Sequence, residues 1–278
     1  MKGDDFLTKS ISGFSRVLES VVTTEDISHA PGLLQGIDPR VKLVSFLLLI
    51  MGVSLIHSLP VLGGIFALVI LLSLTSKISP GFFLKRVLIF VPIFTLVIAI
   101  PALFLTYGQP LVHIFGKIII TRQGALSAGF LLLRVTDSLS LGVLLVLTTP
   151  WANVLTALRW ARMPALMVDI LGMTYRYMFL LLHSANAMFL ARRSRVIGSF
   201  SGSENRRWLG RALATTMVKS QRLSEDVYLA MLARGYRGEV RVLEDFRLQR
   251  RDFIWVAFSL AVIVILFWVS RLGMNLII

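Results

Sequence analysis

The residues best equipped for chemistry with another molecule are arginines gathered in two places in this 278-residue sequence. One cluster is Arg192, Arg193 and Arg195, with Ser194 among them. The other centres on Arg234, in the run Ala230-Met231-Leu232-Ala233-Arg234-Gly235-Tyr236-Arg237-Gly238. A guanidinium is a rigid fork of donors that fits carboxylates and carbonyls, so such clusters can grip a protein surface. Both clusters close long helical patterns, Pro164 to Val196 and Arg206 to Ala233. A helix C-terminus carries unpaired carbonyls and partial negative charge, which favours an arginine there on local grounds alone. That capping reading explains one basic residue per end. It does not explain Gly235 and Gly238, or the small Ala191, Ala230 and Ala233 beside the arginines. Small neighbours would let a helix end lie close to a partner's groove. On the residues alone both readings stand.

Other reactive groups are few. There is no cysteine, which excludes disulfides, thiolate nucleophiles and cysteine metal sites. His29, His57, His113 and His183 are scattered without metal-ligand spacing, so loop, interfacial or packing roles suit them. No G-x-x-x-x-G-K-[ST] phosphate loop occurs, so the chain is not itself an ATPase. Met163, Met167, Met173, Met178, Met188, Met217 and Met231 read as an adaptable packing surface rather than soft-metal ligands. Arg134 and Asp137 lie three apart, on one face of an apolar helix. Ionisable groups at membrane depth are costly and usually paired, so these two lock helix packing or contact a partner subunit.

These groups need elements to position them, and the composition says where those elements sit. The chain is 56% hydrophobic with a mean hydropathy of +0.78, which soluble domains rarely reach. Its net charge of +14 reads as cytoplasmic loops obeying the positive-inside rule. Asp38 and Pro39 suit a helix start, and Arg40 and Lys42 mark the cytoplasmic edge of a first span, Leu43 to His57. Further spans are expected over Val61 to Thr75, Val87 to Tyr107 (with kinks at Pro92 and Pro101), Ala125 to Thr149 and Phe253 to Val269. Gly108 to Gly124 reads as an external loop with a short interfacial or re-entrant piece. From Arg159 to Arg251 there are seventeen Lys and Arg against seven Asp and Glu, which places that block inside the cell. The two long helical patterns fall within it, joined by a flexible turn at Gly198-Ser199-Phe200-Ser201-Gly202-Ser203, and carry too many charges to cross lipid. No internal repeat suggests an inverted-repeat transporter.

The segment Ala230 to Gly238 resembles the second Ala-Arg-Gly signature of the transmembrane T component of energy-coupling factor (ECF) transporters. Ala191 to Arg195 stands at the first signature, with Arg195 aligned to its central arginine, although Ser194-Arg195-Val196 departs from Ala-Arg-Gly. Asp38-Pro39-Arg40-Val41-Lys42-Leu43 is similar to the family's entry into its first span. Arg176-Tyr177 resembles the pair in the cobalt and nickel branch (CbiQ/NikQ).

The resemblance implies an all-α membrane protein with about five transmembrane helices and a cytoplasmic domain of long amphipathic coupling helices. Residues 1–40 are then a cytoplasmic N-terminal segment, 41–149 a four-helix membrane region, 150–251 the coupling region and 252–278 the final span. It further implies a non-catalytic scaffold in a bacterial plasma (inner) membrane, N-terminus inside and C-terminus outside. Two ABC-type ATPase subunits would hold ATP and Mg, and a substrate-capture membrane subunit would carry cobalt or nickel. Membrane lipid surrounds the chain, and no cofactor or nucleic acid is bound by it. Arg195, Arg234, Ala233 and Gly235 are carried over as ATPase-docking residues, with Ser194, Arg192 and Arg193 beside them. A vitamin cargo is the alternative, and a membrane-embedded enzyme a distant one, because its acid–base or metal cluster cannot be assembled. The basic block lacks the interleaved aromatic and base-reading residues of a nucleic-acid site.

Overall fold

The computed structural model describes residue 25 and residues 27–28, 30–56, 58–105, 110–114, 118–195, 202–238 and 248–274. His29, His57, most of the turn after Val196, and much of the N-terminal segment and of 239–251 lie outside these. The elements are α1 (Pro39–Leu55), α2 (Leu59–Thr75), α3 (Pro80–Leu105), β1 (Pro110–Ile114), β2 (Ile118–Thr121), α4 (Arg122–Thr148), α5 (Trp151–Trp160), α6 (Ala165–Arg195), α7 (Gly202–Ala233) and α8 (Arg250–Met274). The class is helical, with one correction. The Gly108–Gly124 stretch, expected as a loop, contains an antiparallel hairpin pairing Val112 with Ile120 and Ile114 with Ile118. Its β-branched residues are stiff at χ1 and favour a pleated strand over a helix. The Thr121 hydroxyl then accepts a hydrogen bond from Gly124 N–H (3.1 Å), so the second strand turns directly into α4. Helix α3 continues through Pro92 and Pro101.

The chain divides into two compact units. One comprises residues 25–157 and 245–278. Within it α4 packs against α1, α2 and α3, and α8 packs on α1. Phe46, Val53, Leu62, Val69, Leu141, Leu144 and Leu147 form its buried core. Asp38 caps α1 by accepting from Arg40 N–H (2.9 Å), with Pro39 in the first turn. Polar contacts between helices add specificity to this apolar packing. Several are present. Trp255 Nε1 donates to Ser45 Oγ (2.8 Å), and its ring stacks on Phe46 at 6.1 Å. Asp252 accepts from Asp38 N–H (2.8 Å) and Gln249 N–H (2.7 Å).

Lys42, expected to mark the cytoplasmic edge of the first span, is only 1% exposed, and its Nζ donates to the Thr148 carbonyl (2.9 Å) and Thr149 Oγ1 (3.2 Å). A cation on α1 therefore closes the C-terminus of α4. In return Arg134 on α4 donates through Nη2 to the carbonyl of Ile56, which follows α1 (2.6 Å). Terminal carbonyls lack partners within their own helix, and each helix here supplies the other's cap.

The second unit contains residues 158–244, with α6 and α7. Phe189 meets Trp208 edge to face at 4.7 Å, and Lys219 Nζ donates to Ser184 Oγ (2.9 Å). Arg159 and Asp169 form an ion pair at 2.6 Å.

Two helices end on a left-handed residue that is not glycine. Lys77 (φ 56°) follows α2, with Ile78 N–H returning to the Ser73 carbonyl. Arg162 (φ 63°) follows α5, with Met163 N–H returning to the Leu158 carbonyl. Among the described residues α4 and α6 are long and apolar enough to cross a membrane. The sequence reading counts the charges of α6 as too many for a span, and length and composition alone do not test that reading.

Candidate functional site

The first arginine cluster occupies the last turn of α6, and its members differ in what they touch. Arg192 is buried, 9% exposed, although it sits beside exposed Ala191 and Arg193. Its Nη2 donates to Asn205 Oδ1 (2.7 Å), and its guanidinium carbon lies 4.5 Å from the Trp208 ring centroid. Burial lowers its pKa, and the nearby Glu204 charge opposes that shift. A buried guanidinium held by an amide and an aromatic face is a fastener between α6 and α7. Arg192 therefore is not presented outward. Arg193, Ser194 and Arg195 are exposed, with Ser194 Oγ donating back to the Ala191 carbonyl (3.0 Å). A cleft of about 670 Å³ opens here, lined by Arg195, Glu204, Arg207, Trp208 and Arg211 among others.

The second cluster ends α7, and hydrogen bonds explain its glycine. Gly235 N–H returns to the Leu232 carbonyl (2.9 Å) and Tyr236 N–H to the Met231 carbonyl (3.0 Å). Gly235 itself has φ +80°. This is a Schellman stop, in which Arg234 is the last half-helical residue and glycine supplies the left-handed turn. A Cβ at Gly235 would meet nothing within 4 Å, so the backbone angle demands glycine and crowding within the chain does not. The sequence reading had left Gly235 unexplained by local capping, and the stop motif supplies that explanation. Ala233, Arg234 and Arg237 are exposed around the turn. The arrangement holds a guanidinium on a rigid helix end, free of any cover from its own chain's flanking glycines.

Between the two ends, α6 and α7 present exposed apolar side chains, including Leu166, Ile170 and Leu180 on α6 and Leu213, Met217 and Leu229 on α7. Arg176 and His183 are exposed on α6. Among the described residues no three His, Asp or Glu side chains are gathered as metal ligands.

Arg134 and Asp137 are not brought together. Arg134 turns to Ile56, as above, and no ion pair joins it to Asp137 among the described residues. Asp137 is 0% exposed, and neither carboxylate oxygen has a hydrogen-bond partner among the described residues. Spacing by three places two residues on one helix face. It does not decide which neighbouring helix end draws the longer side chain away. The capping roles of Arg134 and Lys42 and the fastening role of Arg192 had no sequence signal beyond a charge in an apolar or basic run.

Comparison with known proteins matches residues 32–244 to the family CbiQ, cobalt transport protein. An uncharacterized protein of Methanocaldococcus jannaschii is 32% identical over 95% of this chain and 91% of its own length. The energy-coupling factor transporter transmembrane protein EcfT of Listeria innocua is 30% identical over 84% of this chain and 93% of its own. The cobalt transport protein CbiQ of Rhodobacter capsulatus is 32% identical, over 44% of this chain and 49% of its own.

Proposed function

Because the chain belongs to the CbiQ family of cobalt transport proteins, we propose that it is the energy-coupling scaffold of an ATP-driven ECF importer for cobalt or nickel. The family's members are membrane components of transporters, and this chain is one of them. The carrying observation is the pair of exposed arginine ends, Arg193 to Arg195 and Arg234, on two long helices whose apolar faces are uncovered. In this reading each end docks in a groove of one of two ABC-type ATPase subunits, where ATP and Mg are held. A guanidinium fork meeting carboxylates or carbonyls there transmits closure of the ATPases as a push along the helix. The exposed apolar side chains of α6 and α7 hold the membrane subunit that captures substrate. Arg195, Arg234, Ala233 and Gly235 are the docking residues, with Arg193 and Ser194 at their side and Arg192 as the internal fastener.

In this reading α1, α2, α3, α4 and α8 are five spans of a bacterial inner membrane, with the N-terminus in the cytoplasm because Arg40 and Lys42 flank the first span. Helix α6 lies on the cytoplasmic side with α7, because Asp169, Arg176 and His183 are spread along it. The experiment is copurification with ATPase and capture candidates, followed by metal uptake in cells expressing the set. A complex that accumulates cobalt or nickel supports role and cargo together. Failure to form any complex overturns the role.

A second reading keeps the scaffold and changes the cargo to a vitamin. Relatives in Listeria innocua and Staphylococcus aureus that match over most of the chain are named for the energy-coupling factor, while the cobalt-named relative matches less than half of it. A complex that forms but moves no metal favours this reading.

A further inference from the structure

We infer that Arg207 and Arg211 of α7 complete the first docking end beside Arg195, so that this end is a receptor for acidic side chains of the ATPase subunit it meets. The inference rests on the docking role proposed above and adds residues that neither arginine cluster contains. The cleft of about 670 Å³ takes Arg195 from the last turn of α6, and Arg207 and Arg211 from α7. All three are exposed, and among the described residues none of their guanidinium groups makes a hydrogen bond or ion pair. Arg192 stands apart from them, because Asn205 and the face of Trp208 hold it. Glu204 is the one carboxylate in the lining, and its charge acts on Arg192.

Arg207 and Arg211 lie four apart, on one face of α7, where like charges repel. An anionic partner relieves that repulsion, and a carboxylate can meet a guanidinium through two parallel hydrogen bonds. A nucleotide or nucleic acid would need an aromatic face for its base. Trp208 is the aromatic ring of the cleft, and it is already engaged by Arg192 at 4.5 Å and by Phe189, edge to face, at 4.7 Å. Ala191 and Ala212 also line the cleft, so a partner's backbone can come close. These features fit acidic side chains on a protein surface. At the end of α7, by contrast, Arg234 and Arg237 surround a glycine stop on a single helix. The two docking ends are therefore unequal, and the first holds its ATPase more electrostatically.

The test uses the full chain in detergent and the ATPase that copurifies with it, with affinity measured at about 50 and about 500 mM salt. Arg207→Ala combined with Arg211→Ala should weaken binding about five- to tenfold at low salt, the loss expected for two exposed ion pairs. Salt should then matter less to this variant than to the wild type, because the screened contacts are gone. Arg206→Ala combined with Arg222→Ala removes the same charge from exposed positions outside the cleft, and should shift affinity less than about twofold. Equal weakening by this control pair overturns the inference. So does undiminished low-salt binding by the cleft pair, and a simultaneous loss of bound phosphatidylglycerol in native mass spectrometry would then make lipid the occupant. If the double variant fails to fold, Arg211→Gln alone should weaken binding about two- to threefold, and unchanged binding overturns the inference. A wild type that binds no ATPase sinks the docking role itself. A wild type that binds, with an indifferent cleft pair, sinks only this inference.

Discussion

Arg134 on α4 reaches the carbonyl of Ile56 at 2.6 Å, while Lys42 at the start of α1 reaches the carbonyl of Thr148 at 2.9 Å. The two antiparallel helices thus cap each other. Hydrogen bonds to charged groups contribute about 1.5–3 kcal/mol, so Arg134→Ala should lower stability by roughly that amount. Thermal unfolding of the purified protein in detergent measures it. An unchanged midpoint would show that the contact carries no net stability.

Asp137→Asn should behave in the opposite way. A fully buried carboxyl group without a partner among the described residues is costly, and replacing it by an amide is expected to be neutral or stabilising by about 1 kcal/mol. The same melting assay applies. A clear loss of stability would show that Asp137 holds a bound group or cation that asparagine cannot.

Arg192 and Arg195 should separate by phenotype although they share one helix turn. Arg192→Ala removes a buried hydrogen bond and a cation–π contact, and should cost about 2–3 kcal/mol in stability. Arg195→Glu leaves the fold intact and weakens copurification of the ATPase. If both variants fail only in copurification, the fastener role of Arg192 is wrong.

Arg234→Glu should sever ATPase copurification and transport while leaving the melting curve unchanged, because the residue is exposed and outside the core. A stable complex with normal transport refutes docking through this helix end.

Gly235→Ala should weaken the α7 stop by about 1–2 kcal/mol, since the left-handed angle penalises any Cβ. Gly235→Asn should be milder, because asparagine tolerates that region better than alanine. Limited proteolysis around Arg234 to Arg237 reads the difference.

The sequence made the helices legible because apolar runs and turn residues report them directly. Asp38 and Pro39 announced the start of α1, and the structure has that cap. The apolar piece within Gly108–Gly124 was missed as a hairpin because hydropathy alone does not separate a short strand from an interfacial segment. Its β-branched residues held the missing signal. Arg134 and Asp137 looked like a pair because spacing along one helix is visible, whereas the free carbonyl of Ile56 on another helix is not. The contact of Lys42 was invisible for the same reason, since Thr148 is more than a hundred positions away. In the first arginine cluster no pattern in the chain marked Arg192 as the one turned inward, because Asn205 and Trp208 choose it from across the helix pair.

Lys77 and Arg162 end their helices in a conformation that suits glycine, and each does so with a positive charge. The strain is of order 1–2 kcal/mol per residue. Glycine at either place would relax the backbone, yet on the proposed topology it would also subtract a charge from the loops that orient the spans. Stabilising this protein by the usual glycine substitution at a helix stop would therefore trade thermal robustness against fidelity of insertion. A library selected for heat resistance alone would be expected to drift toward molecules that fold well and enter the bilayer upside down.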